Sequence, residues 1–199
     1  MTSDEVLDRF KQSGALLEGH FVLSSGLHSS VYLQCAIALQ ETLDATEFGK
    51  ALADHFRNQS IDTVAAPAIG GLVIGYEVAR QLGVRFLWTE REHGVMTLRR
   101  GFSVRPEERI LVVEDVITTG GSTRDTIDAL RNAGAKVVAA ASIIDRSGGA
   151  ADVGVPRVSL ATLNVAAVSP GECHACRRGE TAIKPGSRKD NSLSLNDAQ

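Results

Sequence analysis

Apolar positions along this chain recur at helical spacing first and in compact strand-like runs later. Val6, Leu7 and Phe10 share one face of a helix over residues 3–13, and Gly14 is placed to end it. The stretches "GHFVLSSG" and "SVYLQCAIAL" read as short strands joined by a turn at Ser24 to Ser30. Phe48, Leu52 and Phe56, four apart, give "ETLDATEFGKALADHFRNQ" an apolar helical face. The rhythm then changes. "DTVAAPAI" is a buried type of strand, Gly70-Gly71 opens a helix to about Gln81, and Gly83 closes it. "VRFLW" is the next strand, and the polar residues 89–108 read mostly as loop. "RILVVEDV" is a strand, "STRDTIDALRNA" a helix ended by Gly134, "KVVAAASIID" a strand, and "RVSLATLNV" one more.

Strands that are apolar almost throughout, alternating with helices, predict an α/β fold: a Rossmann-like parallel sheet covered on both faces. The expected division is a small N-terminal hood over residues 1–40, a core over 41–170 and an extension over 171–199. The polar, aperiodic "SRKDNSLSLNDAQ" makes that extension partly disordered by expectation. With 199 residues, 43% hydrophobic, the chain can bury a sizeable core without disulfides. Its net charge of −3 offers no basic field, so no nucleic-acid partner is expected. No apolar run is long enough to span a membrane, and "MTSDEVLDRF" lacks a signal-peptide pattern. Three cysteines argue against a disulfide framework, which makes the cytoplasm the expected compartment.

Chemistry concentrates in "VVEDVITTGGST". Glu114 and Asp115 end an apolar strand, where ligands bind in open α/β sheets. The turn after them runs into a helix N-terminus, whose backbone N–H groups and dipole favour phosphate. Gly120 and Gly121 allow close approach, and Thr118, Thr119, Ser122 and Thr123 add hydroxyls. No Lys follows the glycines, so this is not a Walker A loop. Two acids beside an anion cradle suit a ribose 5-phosphate, which has hydroxyls at one end and phosphate at the other.

The segment "ILVVEDVITTGGST" resembles the ribose-phosphate signature of the type I phosphoribosyltransferases. The resemblance implies 5-phosphoribosyl 1-diphosphate as substrate with Mg²⁺ as cofactor. Glu114 and Asp115 would hold the ribose hydroxyls, and Thr118 to Ser122 the 5-phosphate, with Val116 and Ile117 lining the same site. The N-terminal "GHFVLSSGLHSSVYLQ" is similar to the hood of orotate phosphoribosyltransferases, with Phe21, Leu23, Ser25, Gly26, Ser29 and Tyr32 at matching positions. By that resemblance Ser25, Gly26, Tyr32 and Thr118 contact orotate. Arg146 in "IIDRSGG" pairs with its carboxylate. "APAIGG" resembles the diphosphate loop, with Ile69 and Gly70 as contacts, and "EREHGVMTLRRG" the mobile catalytic loop, with Arg91 and His93. Catalysis would fall to His93, Arg91 and Asp115, and the assembly would be a homodimer.

The chain departs from the family in three cations. Ser24 and Gly70 stand where lysines are common, and only Arg91 precedes His93 in the loop. Arg99, Arg100 and Arg105 are candidates to compensate. Two rival functions stay open at this point: a purine-type phosphoribosyltransferase, and a non-catalytic regulator that binds the sugar diphosphate. Cys173 and Cys176 form half of a zinc motif, with His174, Cys35 or a partner subunit as candidates to complete it. Two reduced cysteines in a turn are the plainer reading of the pair.

Overall fold

The structure is a computed structural model that describes residues 1–23, 26–165 and 167–185. It contains α1 (Ser3–Gln12), β1 (Leu16–Val22), β2 (His28–Leu33), α2 (Cys35–Leu39), α3 (Thr42–Asp54), β3 (Thr63–Pro67), α4 (Gly71–Leu82) and β4 (Arg85–Glu92). Next come β5 (Val95–Leu98), β6 (Arg109–Ile117), α5 (Gly121–Asn132), β7 (Lys136–Asp145), β8 (Arg157–Thr162), β9 (Ala167–Val168) and α6 (His174–Arg177).

The larger of two compact units comprises residues 1–17 and 33–165. Its six-stranded sheet runs β5-β4-β3-β6-β7-β8, parallel except for the edge strand β5. Strand alternation sorts side chains into two cores. Val64, Leu111 and Val113 face a layer containing Phe10, Phe48, Leu52, Ile74 and Val78 from α1, α3 and α4. Ala65, Ile110 and Val112 face Ile127 and Leu130 of α5. A register shift between Ile110 and Leu111 moves Ala139 to the opposite face from Val137. The expected three-layer α/β core is therefore present.

Strand order reverses between β3 and β6. The chain leaves β3 through α4 toward β4 on one side, and leaves β6 through α5 toward β7 on the other. Both loops, 68–70 and 118–120, meet at the carboxyl ends of the two central strands, where a crevice opens in such sheets.

Three expectations change. Residues 35–39 are helix rather than strand, because Cys35, Ala38 and Leu39 bury one helical face. Residues 89–108 are mostly turn and loop as expected, but they hold a hairpin the sequence did not announce: β4 continues to Glu92 and turns back as β5, with Glu92 opposite Val95. His93 (φ 51°) and Gly94 (φ 85°) make the two-residue turn, a left-handed pair that suits hairpin twist. Glu90 binds Arg100 through two hydrogen bonds of 2.7 and 3.0 Å, and Arg99 reaches Glu92 at 3.3 Å.

The hood also differs from residues 1–40. Helix α1 belongs to the larger unit, where the Phe10 ring lies 5.7 Å from that of Phe48. The second unit is discontinuous, joining residues 18–32 to 166–199. In it β1, β2 and β9 form a three-stranded sheet, and Phe21 bridges to Ile183. Residues 171–185 are thus part of a structured unit. The disorder expected of the final tail falls on 186–199, outside the described residues.

Helices α3 and α4 touch at Gly49, where an added Cβ would lie 2.6 Å from the Glu77 Cβ. Helix propensity alone favours Ala over Gly by about 1 kcal/mol, whereas overpacking costs about 1–3 kcal/mol. Gly49→Ala is therefore expected to lower the urea midpoint. A raised midpoint would mean that the two helices do not cross at this point.

Candidate active site

At the switch point the two acids occupy different environments. Glu114 accepts a short hydrogen bond from the Thr123 hydroxyl on α5. Burial pushes its carboxyl up to about 7, with the Asp115 charge adding to the shift and the Thr123 bond opposing it. Asp115 accepts from the Val116 N–H at 2.9 Å. Burial raises its pKa as well, against that bond. The Cys35 thiol is raised well above its ordinary value by its own burial and then by the Asp115 charge. It stays protonated.

The diphosphate-type loop lies against the same acid. A Cβ on Gly70 would sit 2.7 Å from Asp115 Oδ1, so the glycine brings this loop close to the carboxylate. A side chain at this place would need the Asp115 carboxylate to move. Helix α4 begins at Gly71, so its first-turn N–H groups stand next to the carboxylate strand end. Ile69 is 83% exposed on this loop. The peptide between Ala68 and Ile69 is cis.

On the other side Gly120 is the N-cap of α5, with φ 75°. A Cβ there would meet Val153 at 2.8 Å, so conformation and space both demand glycine. Arg124 reaches back from α5 to the carbonyls of Thr119 (2.9 Å) and Asp152 (2.6 Å), pinning the turn. Thr118 and Thr119 are exposed; Gly121 and Ser122 open the helix. Val116 and Ile117 remain in β6.

Arg146 follows β7, and its N–H donates to the Ile117 carbonyl at 2.7 Å. This places it beside the end of β6. Buried Asp145 shapes the turn: its carboxylate accepts from the Ser147 N–H (2.7 Å), the Ser147 hydroxyl (2.6 Å), the Gly149 N–H (3.0 Å) and Arg157 (2.9 Å).

The hairpin residues are engaged otherwise than expected. Arg91 donates to the Gly94 carbonyl at 2.9 Å and to Asp125 of α5 at 2.6 Å. His93 is exposed at the tip. Pairing of Pro67 with Thr89 leaves three β4 residues beyond the end of β3. At about 3.3 Å per residue, the tip stands roughly 10 Å past that end. Of the candidate compensating cations, Arg99 and Arg100 pair with Glu90 and Glu92, and Arg105 with Glu108 at 3.6 Å.

In the second unit Gly26 (φ 80°) sits in the turn between β1 and β2, and the Tyr32 ring lies 5.8 Å from that of Phe21. Ser24 and Ser25 lie outside the described residues. Sequence reasoning missed Cys35 as a buried thiol whose pKa the Asp115 charge helps to raise, and Asp145 as the brace of the Arg146 turn. Cys35 carried no local signal, since Asp115 lies 80 positions away in sequence. Asp145 could have been read from the pattern Asp-x-Ser-Gly-Gly, a side chain positioned to accept from its own turn.

The model of the phosphoribosyl transferase domain matches residues 40–171. The orotate phosphoribosyltransferase of Pelotomaculum thermopropionicum is 51% identical over 189 residues, covering 95% of this chain and all of the relative. That of Caldicellulosiruptor bescii is also 51% identical over 189 residues, with the same coverage. Among solved structures, the orotate phosphoribosyltransferase from Aeropyrum pernix superposes with a TM-score of 0.65 at 30% identity, covering 79% of this chain and 93% of that one. The acid pair, the glycine-bounded turn and the adjoining α4 loop thus recur in a chain related to these proteins along nearly its full length. The chain belongs to the orotate phosphoribosyltransferases of the phosphoribosyl transferase family.

Proposed function

We propose that this chain transfers the phosphoribosyl group of 5-phosphoribosyl 1-diphosphate to N1 of orotate, releasing diphosphate and forming orotidine 5′-monophosphate. The observation that carries the reading is the meeting of the Gly70 backbone with the Asp115 carboxylate at the switch point. Two helix N-termini, of α4 and α5, flank a pair of acids there. A substrate with a phosphate at one end, a diphosphate at the other and ribose hydroxyls between them satisfies all three features at once.

In this reading residues 118–122 take the 5-phosphate, Glu114 and Asp115 the ribose hydroxyls, and the Ile69-Gly70 loop the diphosphate. Arg146 and Thr118 would orient orotate. Two carboxylates are too few for an all-protein Mg²⁺ cage. They fit an ion that arrives on substrate oxygens. When bound, Mg²⁺ supplies positive charge to the departing diphosphate. Orotate is already an anion, so the chain's task is to place it behind C1 and exclude water. His93 would donate to the leaving group. Arg91 can join only by leaving Asp125, an exposed pair worth about 0–1 kcal/mol. The 51% identity with orotate enzymes favours orotate over a purine as acceptor.

A homodimer is part of the proposal. Val73 and Tyr76 of α4 are 46% and 57% exposed beside Phe86 and Trp88 of β4, an apolar face that a second copy could cover. The cytoplasm is the proposed compartment, since all three cysteines are free thiols. No helix among the described residues is long and apolar enough to cross a membrane.

The direct test is loss of orotate absorbance with the sugar diphosphate and Mg²⁺, run beside adenine, guanine and xanthine. Turnover is expected with orotate alone. Turnover only with a purine would move the chain to the rival class, and tight sugar-diphosphate binding without turnover would make it a regulator.

His93→Asn keeps a residue that tolerates the left-handed turn before Gly94, so the hairpin should persist. It removes the ionisable ring. Losing one donor that acts on developing charge typically lowers kcat about a hundred- to thousandfold. Wild-type turnover in this variant would remove His93 from the chemistry.

Glu114 makes stability depend on pH in a defined direction. Folded, its carboxyl keeps a proton to about 7; its ordinary value is 4.5. Across that window the folded state binds more protons, so stability falls as pH rises from about 5 to about 7. The drop is at most about 3 kcal/mol. Glu114→Gln should flatten this segment of the urea-stability profile. Parallel profiles for the two proteins would show that Glu114 ionises normally.

A further inference from the structure

We propose that His20, His28, Cys173 and Cys176 form a structural zinc site that holds the smaller unit together. Their four donor atoms all lie within 4.8 Å of one another. Cys176 Sγ is 3.2 Å from His28 Nδ1 and 3.6 Å from His20 Nε2; Cys173 Sγ is 3.4 Å from His20 Nε2. Tetrahedral zinc with bonds of about 2.3 Å to sulfur and 2.0–2.1 Å to nitrogen separates S and N donors by about 3.5 Å. The observed S–N separations are already those of a coordinated set.

The imidazoles supply the second argument. His20 Nδ1 lies 3.0 Å from the Glu180 carbonyl oxygen, which can only accept, so Nδ1 carries the proton. That leaves a lone pair on Nε2, aimed at His28 Nδ1 only 2.7 Å away. A carbonyl bonded to the far nitrogen is the arrangement that orients a metal-bound histidine. Without metal a proton on His28 Nδ1 satisfies this contact; a zinc ion would take the place of that proton, with the two nitrogens moving apart to about 3.3 Å, and two thiols face the same point. Two sulfurs and two nitrogens in a closed set suit zinc, and all four positions are filled by protein, which makes the site structural rather than catalytic.

The unit also needs such a staple. Among its described residues Phe21 and Cys173 are the buried apolar side chains. His20 and His28, each 7% exposed, occupy the centre that a larger domain would fill with hydrocarbon. A unit this small lacks the core to hold together on packing alone, and a metal bound by the folded form only adds its binding energy to folding. Earlier candidates for completing the half-motif fall away: His174 is exposed on α6, and Cys35 belongs to the larger unit.

The test uses the full untagged chain. Elemental analysis after dialysis should find about one zinc per chain, released when an organomercurial blocks the thiols. Refolding with Co²⁺ in place of zinc should give the visible bands of tetrahedral cobalt and a sulfur-to-cobalt charge-transfer band in the near ultraviolet. Cys173→Ser and His28→Asn should lose the metal, while His174→Ala should keep it. If both losing variants prove insoluble, the cobalt spectrum of the unaltered chain decides alone. A purified chain without zinc, octahedral cobalt, a Cys173–Cys176 disulfide, or loss of zinc in His174→Ala would each overturn the assignment.

Discussion

The approach of the Gly70 backbone to the Asp115 carboxylate governs the rest of the larger unit. It requires the loops after β3 and β6 to meet, and so requires the strand order to reverse between them. The reversal sends α4 and α5 to opposite faces, each burying its apolar side against alternate residues of the same strands. It also places an acid pair where two helix dipoles present positive ends, the arrangement that lets carboxylates and phosphates share one small volume. Burial then leaves the two acids unequal: Glu114 is pushed to about 7, while Asp115 keeps the Val116 N–H as a donor against its own upward shift.

Much of this was legible in the chain, because the core relies on signals of short range. The near-continuous apolar runs of "RILVVEDV" and "KVVAAASIID", alternating with helices, predict the parallel sheet, and Gly120-Gly121 at a helix start predicts the phosphate turn. The hairpin at residues 85–98 was hidden by its composition. Its strands carry Glu90, Arg91, Glu92, Arg99 and Arg100 nearby, which read as solvated loop until their cross-strand pairing is known. His-Gly is a weaker turn signal than Asn-Gly, although both residues take the same left-handed backbone. Cys35, Ala38 and Leu39 were misread because five residues are too few to separate helical from strand periodicity.

The hood was harder for a different reason. Its boundaries depend on contacts across 140 or more positions, such as Cys176 to His28 and Phe21 to Ile183. No local pattern encodes such contacts. A Cys-x-x-Cys was visible, but the two histidines that face it sit on a hairpin that it meets across 148 to 156 positions.

That discontinuity sets an order of events during synthesis. The strands β1 and β2 leave the ribosome early, whereas β9 and both cysteines follow only after residues 33–165 have been made. At ordinary elongation speeds the interval is on the order of ten seconds. Through that time the hairpin carries two histidines without the sulfurs that face them, so the larger unit can fold first and the smaller one closes last. Loss of even the short turn of residues 173–177 would therefore leave the hairpin permanently unfinished in an otherwise folded protein.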